Sequence, residues 1–161
     1  MTDTAKDQAA AQLDSIRRMV AATHVDYDRL DELAQELDDI DRTDPDAVRN
    51  WPQSGEYTEL MDQANGMEDE DMERQAIYDD RLSIEVRSGW AFPGDALNEE
   101  EFQILLCTGG PAVRIMGELD DDGTPTRAWL EYQDWGTPWT HYYESDSQDV
   151  LLEYASYFFG D

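Results

Sequence analysis

An α+β fold is predicted by three features of this chain: apolar residues recur at helical spacing before about residue 80, they alternate at period two after it, and glycine-bearing turns separate the alternating runs. In the first segment Ala9, Leu13, Ile16 and Val20 step by four, three and four, which predicts a helix from about Asp7 to Ala22. A second helix carries Leu30, Leu33, Leu37 and Ile40 on one face, is opened by Asp26 or Asp28 as an N-cap, and closes before Pro45. Asp44-Pro45 can start a short helical turn that Trp51-Pro52 breaks, and Glu56 to Ala64 can be helical again. After Gly66 an acidic helix is expected from Met67 to Tyr78, with Met72, Ala76 and Ile77 turned inward.

Beyond Asp79-Asp80 the pattern changes. Leu82, Ile84 and Val86 alternate with polar residues, as do Phe102, Ile104 and Leu106, then Val113, Ile115 and Leu119, then Ala128, Leu130 and Tyr132. Four such runs predict a half-buried antiparallel sheet of four strands. Gly109-Gly110-Pro111 and Asp122-Gly123 are turn chemistry that supports a meander, whereas the Trp90–Asn98 link is longer and contains Pro93-Gly94. A last helix from about Ser147 to Phe159 places Val150, Leu151, Tyr154 and Phe158 on one side, suited to covering the sheet. The expected architecture is one domain, 1–161. Acidic helices over 1–80 pack with a four-stranded antiparallel sheet and a C-terminal helix over 81–161.

The composition permits a folded body. At 161 residues and 40% hydrophobic, with five Trp and eight Tyr, the chain can bury one core. No apolar run approaches the roughly 20 residues that span a bilayer, and the start MTDTAKDQAA has neither a basic nor an apolar leader region. The single cysteine, Cys107, excludes an internal disulfide. A cytoplasmic location is expected.

Charge is the dominant feature: 39 acidic residues face 11 basic ones, a formal net charge of −28. A field of that sign opposes direct binding to nucleic acid or to an anionic membrane and favours a basic partner. Solubility alone asks for a magnitude of only about 2–8 in a small domain. Adaptation to a saline host is the competing cause, because Lys6 is the only lysine and Asp outnumbers Glu.

The acids are also arranged. On the second helix Asp28, Glu32 and Glu36 succeed one another at i, i+4, with Asp31, Asp38 and Asp39 beside them, opposite the leucines. Like charges at this spacing destabilise a helix by roughly 0.2–0.5 kcal/mol per pair, so selection for stability alone would intersperse lysine. Carboxylates about 5–6 Å apart on a rigid helix match the order of spacing of phosphates along a strand. They can therefore address an arginine-lined groove that normally holds nucleic acid. Glu68, Asp69, Glu70, Asp71 and Glu73 extend the same surface.

Residues that carry chemistry give weaker signals. Cys107 ends an alternating strand with no histidine signature beside it. His24 precedes a helix whose Asp26 and Asp28 serve as caps, and His141 lies between aromatic residues. The run Glu118 to Gly123 reads as a charged hairpin turn, since the flanking helices and the twelfth-position glutamate of a calcium loop are missing. Nothing resembles a P-loop, a GxGxxG turn or a GxSxG elbow, so no enzyme, metal or cofactor is expected. An alternative partner patch is Arg114 with Trp129 and Trp135, on the sheet face opposite Ala128, Leu130 and Tyr132. In that reading the acidity serves solubility in a phage or halophile accessory protein; rings in such a pattern are more often core and loop packing beneath a helical layer.

The stretches EVRSGW, EFQILLCTGGPAVRIMGELD and RAWLEYQDWGTPWT, roughly residues 82–140, resemble a group of small acidic proteins carried by phages and prophages of proteobacteria. The resemblance implies a mobile-element origin and a role against host defence, of anti-CRISPR or anti-restriction type. The acidic first half lies outside the matching region, and no functional residue transfers by motif. Joined to the charge, this leads to the expectation of a nucleic-acid mimic that blocks the DNA-binding groove of a basic host defence complex.

Overall fold

The computed structural model describes residues 4–160; positions 1–3 and 161, the ends of the expected domain, lie outside the described residues. The elements in order are α1 (Thr4–Thr23), α2 (Tyr27–Asp38), α3 (Pro45–Arg49), α4 (Ser54–Ala64), α5 (Glu70–Asp80), β1 (Ser83–Arg87), β2 (Glu101–Cys107), β3 (Ala112–Leu119), β4 (Pro125–Gln133), β5 (Thr140–Tyr142) and α6 (Ser147–Phe159). The fold class is α+β. All strands belong to one antiparallel meander in the order β1-β2-β3-β4-β5. Five strands replace the expected four, because β5 is too short to show an alternating run. Its identity comes from pairing Leu130, Glu131 and Tyr132 with Tyr142, His141 and Thr140.

The chain gathers into two compact units. One is Arg18–Gln75; the other is the chain up to Arg17 together with everything from Ala76 onward. The start of α1 thus belongs with the sheet. Amphipathic spacing says that Ala9, Leu13 and Ile16 are buried, as they are, but not which elements they join.

In the sheet unit, Phe102, Ile104, Leu106, Val113, Ile115, Leu119, Ala128 and Leu130 are buried on one face, aligned by the registers of β2 with β3 and β3 with β4. α6 packs against β4 and buries Leu151, Tyr154 and Ala155. Each large apolar side chain removed from water this way contributes about 1.5–3 kcal/mol. Gly117 interrupts the apolar series on β3 for a steric reason: a Cβ there would lie 2.1 Å from the Phe102 ring and 2.4 Å from the Arg127 carbonyl oxygen. The space it leaves lets Phe102 meet Phe159 of α6, ring centroids 4.8 Å apart. Tyr154 donates its hydroxyl proton to Asp80 Oδ2 at 2.7 Å, and Arg17 Nη1 donates to Glu144 Oε1 at 2.7 Å.

In the helical unit, Val25, Tyr27, Leu30 and Ala64 form a buried cluster with Tyr57, Leu60 and Met67 packed against it. Asp26 is the N-cap of α2, its carboxylate accepting from Arg29 N at 2.9 Å. α5 starts three residues later than expected, and its side chains are placed differently. Met72 is 43% exposed, whereas Glu73 is 4% exposed; further along α5, where the chain already belongs to the sheet unit, Ile77 is fully buried. The buried i, i+4 pair is therefore Glu73 and Ile77. An apolar count on the sequence favours Met72 over a glutamate, and that preference is overridden here.

Candidate functional site

The helical unit carries the acidic surface. On α2, Tyr27, Leu30 and Leu33 turn inward, which leaves Asp28, Asp31, Glu32, Glu36, Asp38 and Asp39 exposed, as the stripe requires. Glu68, Asp69, Glu70 and Asp71 are exposed as well. Glu73 leaves the set: it lies in the interior, because it falls on the same side of α5 as Ile77.

The tertiary structure joins the two acidic stretches. A concavity of about 530 Å³ is lined by Val25, Asp26, Tyr27 and Asp28 from the start of α2 and by Asp69, Glu70 and Asp71 from the start of α5. Five carboxylates some forty residues apart in sequence therefore share one opening. Tyr27, one of the lining residues, donates its hydroxyl proton to the Ala22 carbonyl at 2.9 Å. Its phenol is pushed up to about 12, first by burial and then by the negative charges of Glu73, Asp69 and Glu70.

Some acids on these helices have a structural task and others have none. Asp69 accepts from Met72 N at 2.8 Å and so caps α5, and Glu70 and Asp71 sit in its first turn, where the helix dipole favours negative charge. Asp31 accepts from Gln35 Nε2 at 2.9 Å, Arg42 pairs with Asp38, and Glu32 receives Arg29 Nη1 at 3.2 Å. Asp28, Glu36 and Asp39 have no ion-pair partner among the described residues. Asp38 and Asp39 also stand at the C-terminal end of α2, whose last turn holds no basic residue. Negative charge there opposes the helix dipole, so local stability does not account for it.

The sheet unit carries the alternative patch. Arg114 and Glu131 are cross-strand partners on β3 and β4, and Arg114 Nε and Nη2 donate to Glu131 Oε1 at 2.9 and 2.7 Å. Arg114 Nη1 donates to Gln103 Oε1 at 2.9 Å, and its guanidinium lies 4.0 Å from the centre of the Trp139 ring. Trp129 Nε1 donates to Glu131 Oε2 at 2.9 Å. Arg114 and Trp129 are thus brought together through Glu131, in a concavity of about 460 Å³ that Gln103 and Met116 also line. Trp135 is not part of this network. It stands exposed in the turn after β4, next to Gly110. Period-two alternation places Glu131 on the same face as Trp129, but its joining of Arg114 to Trp129, and the approach of Trp139, come only from the fold.

The remaining candidates have local structural roles. Cys107 is half-buried, with its thiol 3.9 Å from the Pro111 carbonyl oxygen, and burial pushes it up in pKa, away from the thiolate. His141 stacks on Tyr143 with centroids 4.2 Å apart, and His24 is exposed just after α1. Asp120 organises the β3–β4 hairpin, accepting from Asp122 N at 3.0 Å and Thr124 N at 2.8 Å around Gly123 at φ +80°. No described helix is long and apolar enough to cross a membrane. No family model, curated protein or solved structure matches the chain.

Proposed function

We propose that this chain is an acidic nucleic-acid mimic, encoded by a phage or mobile element, that blocks the DNA-binding groove of a host defence complex of anti-CRISPR or anti-restriction type. The observation that carries the reading is the convergence of the α2 and α5 acids on one cleft, continuous in sequence with an exposed α2 stripe whose C-terminal acids oppose their own helix dipole. Charge kept where it costs stability is charge kept for a partner. The partner is a basic protein of the cytoplasm. Its arginines meet carboxylates through charge-assisted hydrogen bonds, and nucleic acid itself is repelled.

The test is capture from host lysate at low and moderate salt, followed by competition of the captured protein with duplex DNA. Mutual exclusion of DNA and this chain is expected, lost when Asp28, Glu32, Glu36 and Asp39 are changed together to Asn and Gln. Simultaneous binding of both, or capture indifferent to those four changes, would overturn the reading.

A further inference from the structure

Within the sheet unit, β1 is an edge strand, paired on one side with β2. Its period-two apolar series does not end with it. Leu82, Ile84 and Val86 are followed at the same spacing by Trp90 and Phe92, with only Ser88 polar between them. Residues 88–92 nevertheless belong to no strand, because Arg87 already faces Glu101, the first residue of β2. The loop is closed behind Arg87, whose carbonyl accepts from Glu100 N at 2.9 Å. Trp90 is fully exposed, Phe92 is 82% exposed and Leu97 is 70% exposed, while Leu82 and Val86 at the edge are also open to solvent.

We infer that β1 and the segment after it form a docking edge for an extended segment of another protein in which basic and apolar residues alternate. A strand added to a sheet edge presents successive side chains to opposite faces. On one face its residues would lie beside Ile84 and Val86, with the exposed Trp90 and Phe92 in the loop that follows; on the other they would lie beside Ser83, the exposed carboxylate of Glu85 and Arg87, whose charge Glu101 already pairs. Asp95, Glu99 and Glu100 follow in the same loop, so the rim of the apolar stretch is acidic. Charge decides between occupants. A second copy of this chain, or an anionic bilayer, meets a net charge of −28 with like charge, whereas a basic strand is attracted. An exposed edge of this kind is otherwise a template for aggregation, and the concentration of acid around it opposes self-pairing. The inference stands apart from the mimic reading, since it uses neither α2 nor the start of α5.

The experiment measures binding of a labelled Arg-Val alternating heptapeptide to the full chain by fluorescence anisotropy at 0.15 and 0.5 M salt, between which the Debye length falls from about 8 to about 4 Å. A block peptide of the same composition, arginines first and valines last, is the control for charge alone. The alternating peptide is expected to bind at least tenfold tighter than the block peptide at high salt and to protect the amides of Ser83–Arg87 from exchange. Trp90→Ala with Phe92→Ala should erase that advantage. Both residues are exposed, so the variant keeps its fold, which circular dichroism checks. Equal binding of the two peptides, or an advantage untouched by the double variant, overturns the inference. So does a dimer in sedimentation that the double variant dissolves, which would make the occupant a second copy. Flotation with phosphatidylcholine vesicles that depends on Trp90 would make it a lipid surface and overturn it likewise.

Discussion

Arg29 holds Glu56 with both arms, Nε to Oε1 at 2.8 Å and Nη2 to Oε2 at 3.0 Å, so that one guanidinium fastens α2 to α4. The hydrogen bond to Arg29 draws the Glu56 carboxyl below its usual range, and the guanidinium is raised in turn by Glu56 and Glu32. A carboxyl depressed on folding contributes stability above its unfolded pKa and loses it as pH falls through the folded one. Arg29→Ala should therefore lower the melting temperature at neutral pH, and its difference from the wild type should vanish on acidification below the ordinary carboxylate range. Both groups are exposed, so salt should shrink the difference too. A variant equally destabilised at all pH values would point to lost packing of the arginine stem. Thermal melts across pH and salt decide it.

The C-terminal acids of α2 give the second prediction. Asp39→Lys replaces a charge that opposes the helix dipole by one that complements it, and should stabilise the protein by about 0.3–1 kcal/mol at low salt. The same change should weaken competition with DNA for the captured partner. Urea unfolding measured alongside the competition assay reads both. Opposite movement of stability and binding is the signature of charge retained for recognition; unchanged binding would return Asp39 to the solvated surface.

Tyr27 offers a linkage test. Its phenol rises on folding from 10.0 to about 12, so the folded state holds the proton more tightly than the unfolded one. Stability from this group is complete below pH 10 and declines as pH rises toward 12. Burial also raises the phenols of Tyr154 and Tyr142, so ultraviolet titration should show one fewer phenol ionising near pH 12 in Tyr27→Phe than in the wild type. That variant also removes the shorter of two hydrogen bonds to the Ala22 carbonyl, leaving Val25 N at 3.4 Å, at a cost of about 0.5–1.5 kcal/mol at neutral pH.

Gly117 tests the sheet unit. A methyl group there meets the Phe102 ring and the Arg127 carbonyl oxygen, neither of which can yield without moving α6 or β4. Gly117→Ala should cost about 1–3 kcal/mol in denaturant unfolding. Pairing it with Phe102→Leu should recover part of that loss, because the smaller side chain vacates the contested space. No recovery would place the strain at the backbone contact.

The amino-acid order by itself determined the class of fold, since helical spacing before Asp80 and alternation after it are local properties that each segment expresses alone. It also determined which acids on α2 face water: once Tyr27, Leu30 and Leu33 are buried, Asp28, Glu32 and Glu36 have nowhere else to point. Tertiary structure decided what local periodicity does not encode. A three-residue β5 exists only because β4 offers it a partner. Glu73 is buried while Met72 is exposed because the packing of α5, not the polarity of each residue, sets its inward face. The acidic cleft exists because folding brings residues 26–28 and 69–71 together, and Trp90 and Phe92 face solvent because β2 begins only at Glu101, opposite Arg87, and offers them no partner. Pairing, packing and the meeting of distant segments depend on what each residue contacts, and contact is a property of the folded chain.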